Sequence, residues 1–164
     1  MDEKVEKSFL DLLEKNQKII HKICRIYSNE EGYKDLFQEI VIQLWKSYSS
    51  FKGESKFTTW MYSVSLNTAM SLFRKVKKHE TKINIELVQD KIKHDEINDD
   101  DEIKVKKMYQ AIHQLNDVDK ALIMMYLDDK DYSEISRILG ITEGNARVKM
   151  NRARNKLKQL IKNR

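Results

Sequence analysis

The chain has 164 residues, with 31 Lys plus Arg against 26 Asp plus Glu, 4 Gly, 1 Cys and no Pro. That length excludes a large α/β enzyme, and the lack of Pro with so few Gly excludes the turn-rich sandwiches and barrels. A lone Cys24 excludes an internal disulfide framework and any CxxC zinc site or redox pair.

Charge is uneven along the chain. Residues 1–75 hold 12 basic and 10 acidic side chains, residues 76–103 hold 5 and 9, and residues 104–164 hold 14 and 7. A net −4 stretch therefore separates a nearly balanced block from one of net +7. This predicts two modules, 1–75 and 104–164, joined by an acidic flexible linker over 76–103. Within it, the run Asp95-Glu96-Ile97-Asn98-Asp99-Asp100-Asp101-Glu102 is too polar and self-repelling to pack. No apolar run approaches the roughly 18 residues of a membrane span. Met1 to Lys7 leads into no signal-peptide apolar core, so a cytoplasmic protein without membrane insertion is expected.

Helical periodicity organises the first module. Val5, Phe9, Leu12, Leu13, Ile19, Ile20, Ile23, Cys24 and Tyr27 recur at three- and four-residue steps, predicting a helix over 3–28. Ser28 to Gly32 breaks it, and Leu36, Phe37, Ile40, Val41, Leu44, Trp45 and Tyr48 mark a second helix over 33–48. A third starts near Ser55, whose hydroxyl can cap it, with Phe57, Trp60, Met61, Val64, Ala69, Leu72 and Phe73 facing inward. Three such helices can bury a common core.

In the second module, Val105, Met108, Tyr109, Ile112 and Leu115 predict a fourth helix and Val118 to Leu127 a fifth, largely buried one. Asp131, three residues before Glu134, reads as an N-cap with a reciprocating acid. A short helix follows, Gly140 ends it, and Thr142 caps a basic helix that runs to the C-terminus. Helix, short turn and basic helix make a helix-turn-helix. The last helix carries Asn145, Arg147, Lys149, Asn151, Arg152 and Arg154. Arg and Asn pair bidentately with guanine and adenine edges in the major groove, and the remaining cations suit phosphates.

Nothing in the residues supports an enzyme. His21, His79, His94 and His113 are scattered without a metal-ligand spacing, and the four Gly form no phosphate loop. No catalytic residue, metal or cofactor is expected.

With both modules read, the chain resembles an alternative sigma factor of the extracytoplasmic-function (ECF) group of the main bacterial sigma family. Asp35-Leu36-Phe37-Gln38-Glu39 followed by Leu44-Trp45 is similar to that family's polymerase-binding helix. Phe57-Thr58-Thr59-Trp60-Met61-Tyr62, with Asn67 and Arg74-Lys75, is similar to its promoter-melting helix. Tyr132 to Leu139, Gly140 to Gly144, and Arg152-Ala153-Arg154 with Leu157 are similar to its region-four helix-turn-helix.

The resemblance implies an all-α fold of two small helical domains, a three-helix region-two bundle and a helix-turn-helix region-four domain. It implies core RNA polymerase and promoter DNA as partners, and leaves an anti-sigma factor open. It places polymerase binding on Asp35, Gln38 and Glu39, and minus-ten recognition and melting on Asn67, Arg74, Lys75, Lys77 and Lys78. Minus-thirty-five recognition falls on Asn145, Arg147, Val148, Lys149, Asn151 and Arg152. Two positions depart from the family pattern: Ser71 stands where an acid is frequent, and Val148 where Ser is frequent. The implied function is transcription initiation. A stand-alone helix-turn-helix regulator with an N-terminal helical sensor or dimerisation domain stays open as an alternative, as does a polymerase-binding adaptor without DNA contact.

Overall fold

A computed structural model describes residues 3–80 and 99–162, with side chains for 3–75 and 103–162. These residues form seven helices: α1 (Glu3–Tyr27), α2 (Glu30–Tyr48), α3 (Phe57–Glu80), α4 (Asp99–His113), α5 (Asp117–Leu127), α6 (Tyr132–Leu139) and α7 (Glu143–Lys162). They fall into two compact units, one holding α1 to α3 and the other α4 to α7. Among the described residues no helix is long and apolar enough to cross a membrane.

In the first unit the apolar stripes meet in one core. Phe9, Ile20, Ile23, Cys24 and Tyr27 of α1 pack with Leu36, Ile40 and Leu44 of α2 and Met61, Leu66 and Ala69 of α3, all buried. The break between α1 and α2 is shorter than the sequence suggests. Ser28 folds back onto the Cys24 carbonyl, with its hydroxyl at 2.6 Å, and Asn29 alone makes the turn. The Asn29 side chain accepts the Gly32 N–H at 2.9 Å, and Glu30 and Glu31 sit in the first turn of α2 where the helix dipole favours acids. That cap starts α2 at Glu30 rather than 33.

α3 departs from expectation twice. The Ser55 hydroxyl does not cap it: it faces the Lys56 carbonyl at 3.4 Å, and the Lys56 carbonyl itself accepts from the Trp60 N–H. Its inward face also includes Thr59, Tyr62, Ser65 and Met70, whereas Val64, Leu72 and Phe73 are only half-buried. An aromatic cluster clamps the connection between α2 and α3. Phe51 packs on Phe57 at 5.7 Å and Trp60 at 5.2 Å between ring centroids, and Phe9 packs on Trp45 and Tyr48 at 5.0 Å each. Phe51 enters this cluster although no helical period marks it.

In the second unit, Ala111 and Ile112 of α4 and Leu115 of the following turn pack with residues 121–125 of α5, Ile135 and Ile138 of α6, and Ala146, Met150 and Ala153 of α7. Val105, expected inside, is 50% exposed, Met108 and Tyr109 are half-buried, and the buried part of α4 begins only at Ala111. The expected linker over 76–103 is cut at both ends. Its first residues continue α3 to Glu80, and its last ones start α4 at Asp99, where Asp99, Asp100, Asp101 and Glu102 lie in a helix N-terminal turn that favours acids. The remainder, 81–98, lies outside the described residues.

Candidate nucleic-acid interface

The helix-turn-helix is built by three local devices. Asp131 is extended at φ −72°, ψ 163°, and its carboxylate accepts the Glu134 N–H at 2.7 Å, starting α6. The Glu134 carboxylate takes the Lys130 ammonium at 3.2 Å. Gly140 adopts φ 65°, ψ 36°, its N–H and that of Ile141 both reaching the Ser136 carbonyl, which ends α6 in a left-handed cap. Thr142 then accepts the Asn145 N–H at 3.2 Å and begins α7.

α7 has one buried and one outward side. Ala146, Met150 and Ala153 are fully covered, and the opposite side presents Gly144, Asn145, Val148, Asn151, Arg152 and Asn155 to solvent. Of the residues expected to read the minus-thirty-five element, Val148, Asn151 and Arg152 lie near the middle of this outward side. Val148 is 49% exposed, an apolar group among polar ones. Arg147 and Lys149 flank that centre from opposite sides, Lys149 half-buried. Arg154 does not share the face: it is half-buried and stacks on Tyr126, its guanidinium carbon 4.7 Å from the ring centroid.

Arg147 is held in a similar way. Its guanidinium carbon lies 4.4 Å from the centroid of the Tyr132 ring, and Nη2 is 3.9 Å from the Glu143 carboxylate. Tyr126, Asp129, Asp131, Tyr132, Glu143 and Arg147 line an open cleft of about 420 Å3 beside the start of α6. The two tyrosines were absent from the expected set. Their only signal was an aromatic at the first position of a helix and another at the exposed end of an otherwise buried one.

In the first unit, the outward face of α2 carries Asp35 and Gln38, both exposed, and a half-buried Glu39 that accepts the Gln43 side-chain amide at 2.8 Å. Between them stands Ile42, 44% exposed, which the apolar stripe had not claimed. The outward face of α3 carries Asn67, Ser71, Arg74 and Lys75, all exposed and at helical spacing. With Ser71 in this position, that face carries no acid among the described side chains of α3. The side chains of Lys77 and Lys78 lie outside the described residues.

Burial pushes the Cys24 thiol up to about 12 from 9.0. Burial also raises the Tyr33 phenol, with the nearby Cys24 adding to the effect and Arg25 opposing it. Among the described residues no three or more His, Cys, Asp or Glu side chains are placed to hold a metal ion.

Comparisons with known proteins divide along the same line as the fold. The family model described as Sigma-70 region 2 matches residues 12–79, and Sigma-70, region 4 matches residues 106–157. The chain is 25% identical over 168 residues to the ECF RNA polymerase sigma factor SigW of Bacillus subtilis, covering 94% of this chain and 89% of the relative. It is 28% identical over 147 residues to the RNA polymerase sigma factor YlaC of the same organism, covering 87% and 85%. Among solved structures, the sigma factor RpoE, crystallised with the anti-sigma factor NepR from Bartonella quintana, matches with a TM-score of 0.77 at 21% identity, covering 95% of this chain and 98% of that one. CnrH, solved in complex with the cytosolic domain of CnrY, matches with a TM-score of 0.68 at 16% identity, covering 96% and 89%. These structural likenesses concern the fold.

Proposed function

The chain belongs to the sigma-70 family, in its ECF group, and from that premise we propose that each of its two units contributes one contact surface to promoter-specific transcription initiation. It is a transcription initiation factor, carrying region 2 and region 4 in the family's order. It acts by binding core RNA polymerase and directing it to a two-part promoter in the cytoplasm. Covalent chemistry belongs to the polymerase, and this chain supplies recognition and assists melting.

The observation that carries the reading is the outward side of α7. Val148, Asn151 and Arg152 stand clear of the core on the second helix of a well-capped helix-turn-helix, with further cations on either flank. A helix so arranged can enter the major groove with its cations near phosphates. On the first unit, Asp35, Gln38 and Glu39 around the exposed Ile42 offer an acidic rim with an apolar centre for a protein partner. Asn67, Arg74 and Lys75 offer a cationic strip for the separated non-template strand, where a held-out base offsets the cost of unstacking. Lys77 and Lys78 would extend the same function. The relatives RpoE and CnrH were solved with partner proteins, and a dedicated restraining protein is proposed for this chain by analogy.

The stand-alone regulator is not favoured, because the N-terminal unit matches sigma region 2 from residue 12 to residue 79. Transcription in vitro with core polymerase, this protein and a genomic fragment library tests the assignment. Promoter-specific transcripts above the level of core alone are expected, and none from any fragment would overturn it. Gel shift adds a second arm: the free chain should bind those promoters poorly and gain affinity when core polymerase is added.

A further inference from the structure

We propose that Tyr132, the first residue of α6, is a positioning residue for Arg147: its ring holds the guanidinium in the orientation from which α7 discriminates one base pair of the minus-thirty-five element. This rests on the placement of Arg147 in that recognition face.

The geometry separates two ways of holding the guanidinium. The guanidinium carbon lies over the Tyr132 ring, 4.4 Å from the centroid, and an arginine that stacks on an aromatic ring in this way uses the π face of the cation. The N–H donors along its edge stay available, and that edge is what pairs bidentately with a guanine. An ion pair with a carboxylate occupies the same edge and would withdraw it. The Glu143 carboxylate is 3.9 Å away, and the two side chains are 59% and 51% exposed, so this contact is long, screened and weak. The ring is therefore the contact that orients Arg147.

The surroundings make that contact consequential. Arg147 borders a cleft of about 420 Å3, so packing does not confine its rotamer-rich side chain. Asp129, Asp131 and Glu143 line the same cleft and compete for a guanidinium released from the ring. With the ring present, a planar cation on an aromatic face keeps one orientation. Without it, Arg147 turns toward the carboxylates and its base-reading edge is spent on them.

The test uses the full chain with core polymerase on a promoter fragment recovered from the library transcription, and on its single-base-pair variants across the minus-thirty-five element. Arg147→Ala should flatten discrimination at one base pair by about tenfold or more, the range of a bidentate contact. Tyr132→Leu should flatten discrimination at that same pair by about three- to tenfold, while other positions keep theirs. Tyr132→Phe, which keeps the ring, should restore it, and adding Tyr132→Leu to Arg147→Ala should change nothing further. Glu143→Gln should leave discrimination at that pair unchanged or sharper, an independent check if Tyr132→Leu does not fold. Unaltered discrimination in Arg147→Ala would overturn the placement of Arg147. Flattening in Arg147→Ala but not in Tyr132→Leu, uniform weakening by Tyr132→Leu at every position, or loss in Glu143→Gln would overturn the positioning role alone.

Discussion

The Tyr33 hydroxyl lies 2.5 Å from Nδ1 of His21, joining the first turn of α2 to the C-terminal third of α1. The imidazole also stacks on Phe37, with centroids 4.9 Å apart, so one histidine sets how α2 lies on α1. That setting turns Leu36 and Ile40 inward and leaves Asp35 and Gln38 outside. Burial raises the Tyr33 pKa further above its ordinary value, consistent with a phenol held between the two helices. Tyr33→Phe keeps the ring and removes the bond. It should cost about 1 kcal/mol in urea unfolding of the full chain, and an unchanged midpoint and slope would remove the bond from the account.

The α2 face gives a functional prediction. Asp35→Lys should weaken binding to core polymerase with little effect on folding, because Asp35 is exposed. Glu39→Lys should weaken it too, and should also lower stability by roughly 1 kcal/mol by breaking the bond from Gln43. Affinity measured by fluorescence anisotropy for a labelled chain, beside a denaturation curve, distinguishes the two. Equal affinity in both variants would move the docking face elsewhere.

Val148 gives a prediction that reads one methyl group. A Val at the centre of a major-groove helix fits the C5-methyl of thymine. Replacing single thymines of the minus-thirty-five element by deoxyuridine removes that methyl alone. One position should lose about fourfold in promoter affinity, from about 0.8 kcal/mol per buried carbon. Val148→Ala should be insensitive to the same replacement, and a Val148 protein indifferent at every thymine would end the idea.

Two glycines should respond in opposite directions. Gly140 has φ +65° with open space around an added Cβ, so Gly140→Ala meets backbone strain and no clash. A loss of about 1 kcal/mol is expected. Gly144 lies in the first turn of α7 with nothing within 4 Å of an added Cβ. Gly144→Ala should raise stability by about 0.5 kcal/mol through helix propensity. Thermal unfolding of both variants checks the signs.

Cys24 links stability to alkaline pH. Its folded pKa is raised to about 12 from 9.0, so its contribution is complete below pH 9. Between pH 9 and about 12 the unfolded thiol ionises while the buried one does not, and stability falls by roughly 1.4 kcal/mol per pH unit from this group. Comparison with Cys24→Ala isolates the effect from other groups that titrate there. An identical alkaline slope in the variant would falsify it. In the folded chain the thiol should also resist alkylation at pH 8 and react once urea unfolds the protein.

The helices of the described residues, the capped helix-turn-helix and its cationic last helix were readable from the sequence. They depend on local signals: apolar residues at three- and four-residue steps, Asp131 and Thr142 as caps, Gly140 as a stop, and clustered charge. The limits of the acidic stretch were not readable, because an acidic run repels itself in a tether yet suits the first turn of a helix, and composition does not distinguish the two. Phe51, the half-burial of Glu39 and the exposure of Ile42 were hidden for a related reason, since each depends on what another helix or loop places opposite.

The distribution of charge shows the same division. A net +7 over residues 104–164 is a property of the sequence and marks the cationic helix. Which of those cations can meet DNA is a property of packing. α5 and α6 bring Tyr126 and Tyr132 against α7, so Arg154 is stacked and half-buried, Arg147 is stacked at the edge of the face, and Arg152 stands clear. Composition counts charges and periodicity assigns them to a side of a helix. Only contacts between helices decide which charge is held, in what orientation, and which of its hydrogen-bond donors are left for a base.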